Sequence, residues 1–117
     1  LSRRARGLPF WFSLATYGTD AYAAAVAQTL RTAHAGARLV DDAPHTELLM
    51  EPELSVVLFR RRGWGPDDYQ AWSDEALRSG RSLTVPTAWR GETVLRWCLV
   101  NPTTTTDDLA MLLATMA

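Results

Sequence analysis

The stretch SLTVPTAWRGETVLRWCLVNPTTTTDDLAMLL, residues 82–113, decides the architecture. Ser82–Trp89 and Glu92–Val100 are rich in β-branched and aromatic residues. They are divided by Arg90-Gly91, with glycine where a tight hairpin turn often needs a positive φ. An antiparallel pair is predicted. The chain then turns at Asn101-Pro102-Thr103-Thr104 and places Thr105 three residues ahead of Asp108, a shortened capping box. Leu109, Leu112, Leu113 and Met116 follow at the spacing of one buried face of a closing helix.

Upstream, Gly65 and Pro66 introduce a helix with Asp67 and Asp68 in its first turn, favourable against the helix dipole. Tyr69, Trp72, Ala76 and Leu77 form its apolar face, and Gly80 ends it. Before it lie two β-type runs, His45–Met50 and Leu54–Arg60. In the second, Val56-Val57-Leu58-Phe59 reads as a buried strand. Further back, Tyr22, Val26, Leu30, Ala33, Ala37 and Val40 advance in steps of four and three along an alanine-rich helix from Asp20 to about Val40. Asp41-Asp42-Ala43-Pro44 closes that helix, because helical conformation is disfavoured before proline. A short helix bearing Phe10, Trp11, Leu14 and Tyr17 begins at Pro9 and ends at Gly18, with Thr19 free to cap the next.

The predicted order is helix, helix, strand, strand, helix, strand, strand, helix. Strands grouped in hairpins point to an α+β fold, an antiparallel sheet of about four strands with helices packed mainly on one face. At 117 residues, 47% of them hydrophobic, the chain suits one compact domain.

A formal net charge of −1 and a pI near 6.1 give no general field for nucleic acid or an anionic membrane, so neither is an expected partner. No apolar run approaches the ~20 residues that cross a bilayer. The single cysteine, Cys98, excludes an internal disulfide framework and fits a cytoplasmic setting. All 12 basic residues counted as lysine plus arginine are arginines. Without a lysine, no side chain here can form a Schiff base with an aldehyde. Beginning at Leu1, the chain reads as a piece of something longer.

Three segments in order resemble the last part of the group II pyridoxal-phosphate-dependent amino-acid decarboxylases, the family of glutamate, aromatic amino-acid and diaminobutyrate decarboxylases. The first is Ser2-Arg3-Arg4-Ala5-Arg6-Gly7-Leu8-Pro9-Phe10-Trp11-Phe12-Ser13-Leu14 with Tyr17-Gly18-Thr19. The second is Glu47-Leu48-Leu49 followed by Leu54–Arg60. The third, the most specific, is Thr93–Leu109, an arginine-bearing strand, an Asn-Pro turn and a threonine-capped helix.

The resemblance implies residues 1–40 as connecting helices and 41–117 as the C-terminal small domain of such an enzyme. It also implies a large domain of the same protein that holds pyridoxal 5'-phosphate through a lysine, a homodimer and an amino-acid substrate. The cofactor's ring would accept the electrons released as carbon dioxide leaves. The catalytic lysine would then lie outside this chain, leaving no catalytic, cofactor-binding or metal-binding residue within it. The isolated piece would expose apolar surface and self-associate or be only marginally stable.

Arg96 is the candidate substrate-binding residue. Flanked by Leu95 and Trp97 in mid-strand, it should have an anionic partner, since an unpaired buried guanidinium is costly. In glutamate decarboxylase the arginine of the matching strand is implicated in binding a substrate carboxylate, and a planar fork suits that task. A structural ion pair with a carboxylate of the large domain is the other reading. Arg3 and Arg4 match arginines near the family's domain junction, but in this piece read as an exposed basic terminus. Arg60-Arg61-Arg62 reads as a solvated turn, Trp64 as the most exposed tryptophan, Cys98 as an inert buried thiol, and His34 and His45 as surface residues without metal-ligand spacing. The alternatives are a free-standing α+β ligand-binding or regulatory module and an interaction domain using Trp64 and Arg60–Arg62.

Overall fold

The computed structural model describes residues 4–117. Its elements are helix α1 (Gly7–Asp42), strands β1 (Thr46–Met50) and β2 (Val56–Arg61), helix α2 (Pro66–Arg78), strands β3 (Thr87–Trp89) and β4 (Glu92–Cys98), and helix α3 (Thr106–Ala114). The four strands form one antiparallel sheet in the order β1-β2-β4-β3, the α+β arrangement expected.

Local chemistry fixes the joints. Arg90 and Gly91 both take positive φ, 50° and 86°, the backbone of a hairpin turn whose twist matches that of its strands. Arg90 lies over the Trp89 ring at 4.4 Å, a cation–π contact that steadies a left-handed non-glycine residue. At the start of α3, Asp108 N–H donates to Thr105 Oγ1 at 3.2 Å while Thr105 N–H donates to Asp108 Oδ2 at 2.8 Å, which closes the capping box.

The register sets the core. Val57 lies opposite Trp97 and Phe59 opposite Leu95, and these four face the helices. The Phe59 and Trp97 rings stand 4.7 Å apart, centroid to centroid. Ala33, Ala37 and Val40 of α1, Tyr69, Trp72 and Ala76 of α2, and the predicted face of α3 complete one cluster. Gly36 lets α1 and α3 approach, since a Cβ there would come within 2.8 Å of Leu109 Cδ1. Thr46, fully buried, donates through Oγ1 to the Val40 carbonyl at 2.7 Å and ties the first strand to the end of α1.

Three expectations change, and one holds in detail. The predicted strand 82–89 shortens to Thr87–Trp89, because Pro86 has no N–H for a ladder and Thr84 turns instead to α2, its carbonyl accepting from Ser73 Oγ at 2.6 Å. The two predicted N-terminal helices are both present within α1 and meet at Gly18 (φ 80°, ψ 160°), as expected, with the Tyr22 hydroxyl bonded to Ser13 Oγ across the break. Leu77 is exposed, and Ser73 takes its place on the buried face of α2. Val56 and Val26 are exposed too, so the apolar runs on β2 and α1 are only partly core.

Candidate functional site

Alternation along β4 sends Leu95, Trp97 and Leu99 into the core and Arg96 and Cys98 to the other face. No helix contributes to that face, and both side chains are exposed. The expected burial of Arg96 is therefore corrected. Its guanidinium reaches solvent and, among the described residues, forms no ion pair. The expectation for Cys98 fails for the same reason: helices on a single face leave alternate β4 residues uncovered.

Beside Arg96 sits a cross-strand ion cluster. Arg60 donates from Nε and Nη2 to the two carboxylate oxygens of Glu47 at 3.2 and 2.9 Å, and from Nη1 to Glu92 Oε2 at 2.7 Å. Arg62 Nη1 reaches Glu47 Oε2 at 3.3 Å, and Arg62 Nε donates to the Thr46 carbonyl at 3.1 Å. The hydrogen bonds from Arg60, then the charges of Arg60 and Arg62, hold the Glu47 carboxyl below its ordinary range against the opposing effect of desolvation. Arg60 is shifted up in return, chiefly by its hydrogen bond with Glu47.

Arg61 points elsewhere, donating from Nε to the Met116 carbonyl at 2.8 Å and lying over Trp64 at 5.5 Å. Of the arginine run, Arg60 and Arg61 lie in β2, and only Arg62 stands in the exposed turn expected. The three arginines join β2 to β1, β4 and the end of α3.

Trp64 is half-buried, its ring 5.4 Å from Tyr69 and 6.3 Å from Trp72. The most exposed tryptophan is instead Trp11, at 60%. His45 is also half-buried and donates from Nε2 to the Leu113 carbonyl at 3.1 Å, whereas His34 is exposed. Arg4 is exposed, and Arg3 lies outside the described residues.

A second feature was not anticipated. Tyr22, Ala25, Val26, Thr29 and Leu30 of α1 face Leu54, Ser55, Val100 and Pro102 across an open groove of about 540 Å³ with no charged group in its lining. The helical stripe from Tyr22 to Val40 therefore divides: Ala33, Ala37 and Val40 are sealed in the core, while Tyr22, Val26 and Leu30 line this groove. Periodicity finds the stripe but carries no mark of where cover stops. The Glu47–Arg60–Glu92 set was equally hidden, since its members stand 13 and 32 residues apart.

No family model matches the chain. Among curated proteins it is 31% identical over 100 residues to an aromatic-L-amino-acid decarboxylase of Sus scrofa, covering 85% of this chain and 20% of that one. It is 29% identical over 109 residues to a histidine decarboxylase of Drosophila melanogaster, covering 93% and 13%. A solved glutamate decarboxylase domain from Vibrio parahaemolyticus, part of a diaminobutyrate-pyruvate transaminase and L-2,4-diaminobutyrate decarboxylase, superposes with a TM-score of 0.78 at 29% identity. That match covers 92% of this chain and 24% of the other.

The chain is similar to the C-terminal region of group II pyridoxal-phosphate-dependent amino-acid decarboxylases. It spans only a small part of these decarboxylases, between 13% and 28% of their lengths.

Proposed function

We propose that this chain is the C-terminal small domain of a pyridoxal-phosphate-dependent amino-acid decarboxylase, inactive alone, which closes one side of its parent's active site. The observation that carries the reading is Arg96, a guanidinium without a counter-ion among the described residues, held on a rigid strand on the helix-free face. A planar fork of this kind takes a carboxylate in bidentate fashion, and the substrate's carboxylate is the group it would receive.

Bound in the parent, the cofactor supplies an electron sink for loss of carbon dioxide. This chain has no lysine to anchor it, so no residue here is assigned to hold it. The part played by these residues is to orient the substrate through Arg96 and to exclude water by covering the site. The uncharged groove beside α1 supports docking of the large domain of the same protein, with residues 1–40 leading into the small domain 41–117. A homodimer and a cytoplasmic setting complete the proposal. They rest on the family likeness and, for the compartment, on a chain with one cysteine.

The test is the full-length protein assayed for carbon dioxide release on a panel of amino acids, with Arg96→Ala and Arg96→Lys beside it. Arg96→Ala should lower kcat/KM about 10–150-fold on the preferred substrate, the loss expected for a hydrogen-bonded charged contact of about 1.5–3 kcal/mol. Arg96→Lys should recover part of that. Unchanged kinetics in Arg96→Ala would remove Arg96 from the site, and no turnover of any amino acid by the parent would remove the decarboxylase reading.

A further inference from the structure

We infer that Glu47 and Glu92 set the charge selectivity of the helix-free sheet face: by holding Arg60, they leave Arg96 to receive a single carboxylate rather than a dianion. This rests on the reading of Arg96 as a carboxylate-binding group.

Leu58 lies directly opposite Arg96, and Arg60, two residues along β2, shares its face. Diagonal neighbours of this kind are about 7–8 Å apart at Cα, within reach of long side chains. Left uncommitted, Arg60 could turn toward Arg96, and together they would form a double-guanidinium site suited to a dianion. Arg60 is turned away instead. Its Nε and Nη2 go to Glu47 on β1 and its Nη1 to Glu92 on β4, at 3.2, 2.9 and 2.7 Å.

Arg62 shares Glu47 at 3.3 Å, so two guanidiniums and two carboxylates balance within the cluster. Arg96 is the cation left without an ion pair in the middle of this face, while Arg90, at the hairpin end, lies over the Trp89 ring. One fork matches one carboxylate; a phosphate or a compact dicarboxylate would leave negative charge without an offset and would meet the nearby acids. The two glutamates act through Arg60 and touch no ligand, which makes them specificity-setting residues.

The experiment titrates the full-length protein, labelled at arginine Nε, with acetate, succinate and inorganic phosphate at constant ionic strength, following the Arg96 Nε–Hε resonance. Acetate should shift it, phosphate should bind no more tightly than acetate, and Arg96→Ala should abolish the response. In Glu47→Gln/Glu92→Gln, phosphate and succinate should tighten about tenfold, the gain from one further charge-assisted contact, while acetate stays unchanged. Adding Arg60→Gln should restore the original preference.

An unaltered preference in the double variant, with Arg96 still responding to acetate, would overturn the selectivity inference and leave the Arg96 reading standing. Absence of any acetate shift at Arg96 would overturn both. Should the double variant not fold, Glu92→Gln alone must move phosphate binding in the same direction, and no gain there overturns the inference.

Discussion

The two faces of the sheet are built on opposite terms. Toward the helices, Val57, Phe59, Leu95 and Trp97 lie in a sealed apolar cluster with three helices over them. On the far face, Leu58 and Val94 are buried outside that cluster, but Arg96 and Cys98 stand in water and Arg60 is held by carboxylates from two other strands. The first face makes the domain stable. The second gives it something to offer a ligand or a neighbouring domain, because a charge in contact with solvent keeps its hydration until a partner replaces it. Consecutive positions on β4, Leu95 and Arg96, therefore carry different tasks.

If stability resides on the helix side, its loss should be largest there. Phe59→Ala removes a fully buried ring packed at a tilt against Trp97 and should cost about 3–5 kcal/mol in urea unfolding. A cost below 1 kcal/mol would place the core elsewhere. Gly36→Ala should follow at about 1–3 kcal/mol, because the added methyl meets Leu109 where α1 and α3 are closest. A neutral result would mean that Leu109 rotates away freely. Thr105→Ala should cost about 0.5–2 kcal/mol by removing the cap of α3, measurable as a fall in the thermal midpoint.

The smallest effect belongs to the open face and is visible only with pH. Glu47 titrates lower in the folded chain than unfolded, so its contribution to stability is fully present above its ordinary carboxylate range and fades as the pH drops through the folded value. Asp108, shifted down chiefly by the Thr105 backbone N–H and then by its hydroxyl, fades over the same acid side. Glu47→Gln should flatten part of the acid limb by lowering the neutral plateau slightly, because partly exposed pairs are screened, and should leave stability at the acid end unchanged. An acid limb identical to that of the unaltered chain would show that the cluster does not respond to folding.

Much of this was legible in the residues themselves. Arg90-Gly91 marked the hairpin, Thr105 and Asp108 the cap, Pro44 and Gly80 the helix ends, and Leu109, Leu112, Leu113 and Met116 the buried face of α3. The misreadings share a cause. Cys98 and Arg96 were judged by their apolar sequence neighbours, yet on a strand those neighbours point the other way. Arg60–Arg62 looked like a run of free charge because their acceptors, Glu47, Glu92 and the Thr46 and Met116 carbonyls, come from distant segments. Trp64 between glycines looked exposed, although Tyr69 and Trp72 bring rings to it from α2.

By itself, then, the sequence determined the order of elements, their caps and turns, and the absence of any amine side chain that could tether an aldehyde. These depend on backbone preference and chemistry within a few residues. Only the tertiary structure decided which side of β4 stays wet, where the α1 stripe loses its cover, and that Arg60 is committed while Arg96 is not. Those outcomes depend on which distant segments arrive at the sheet and on which face they settle.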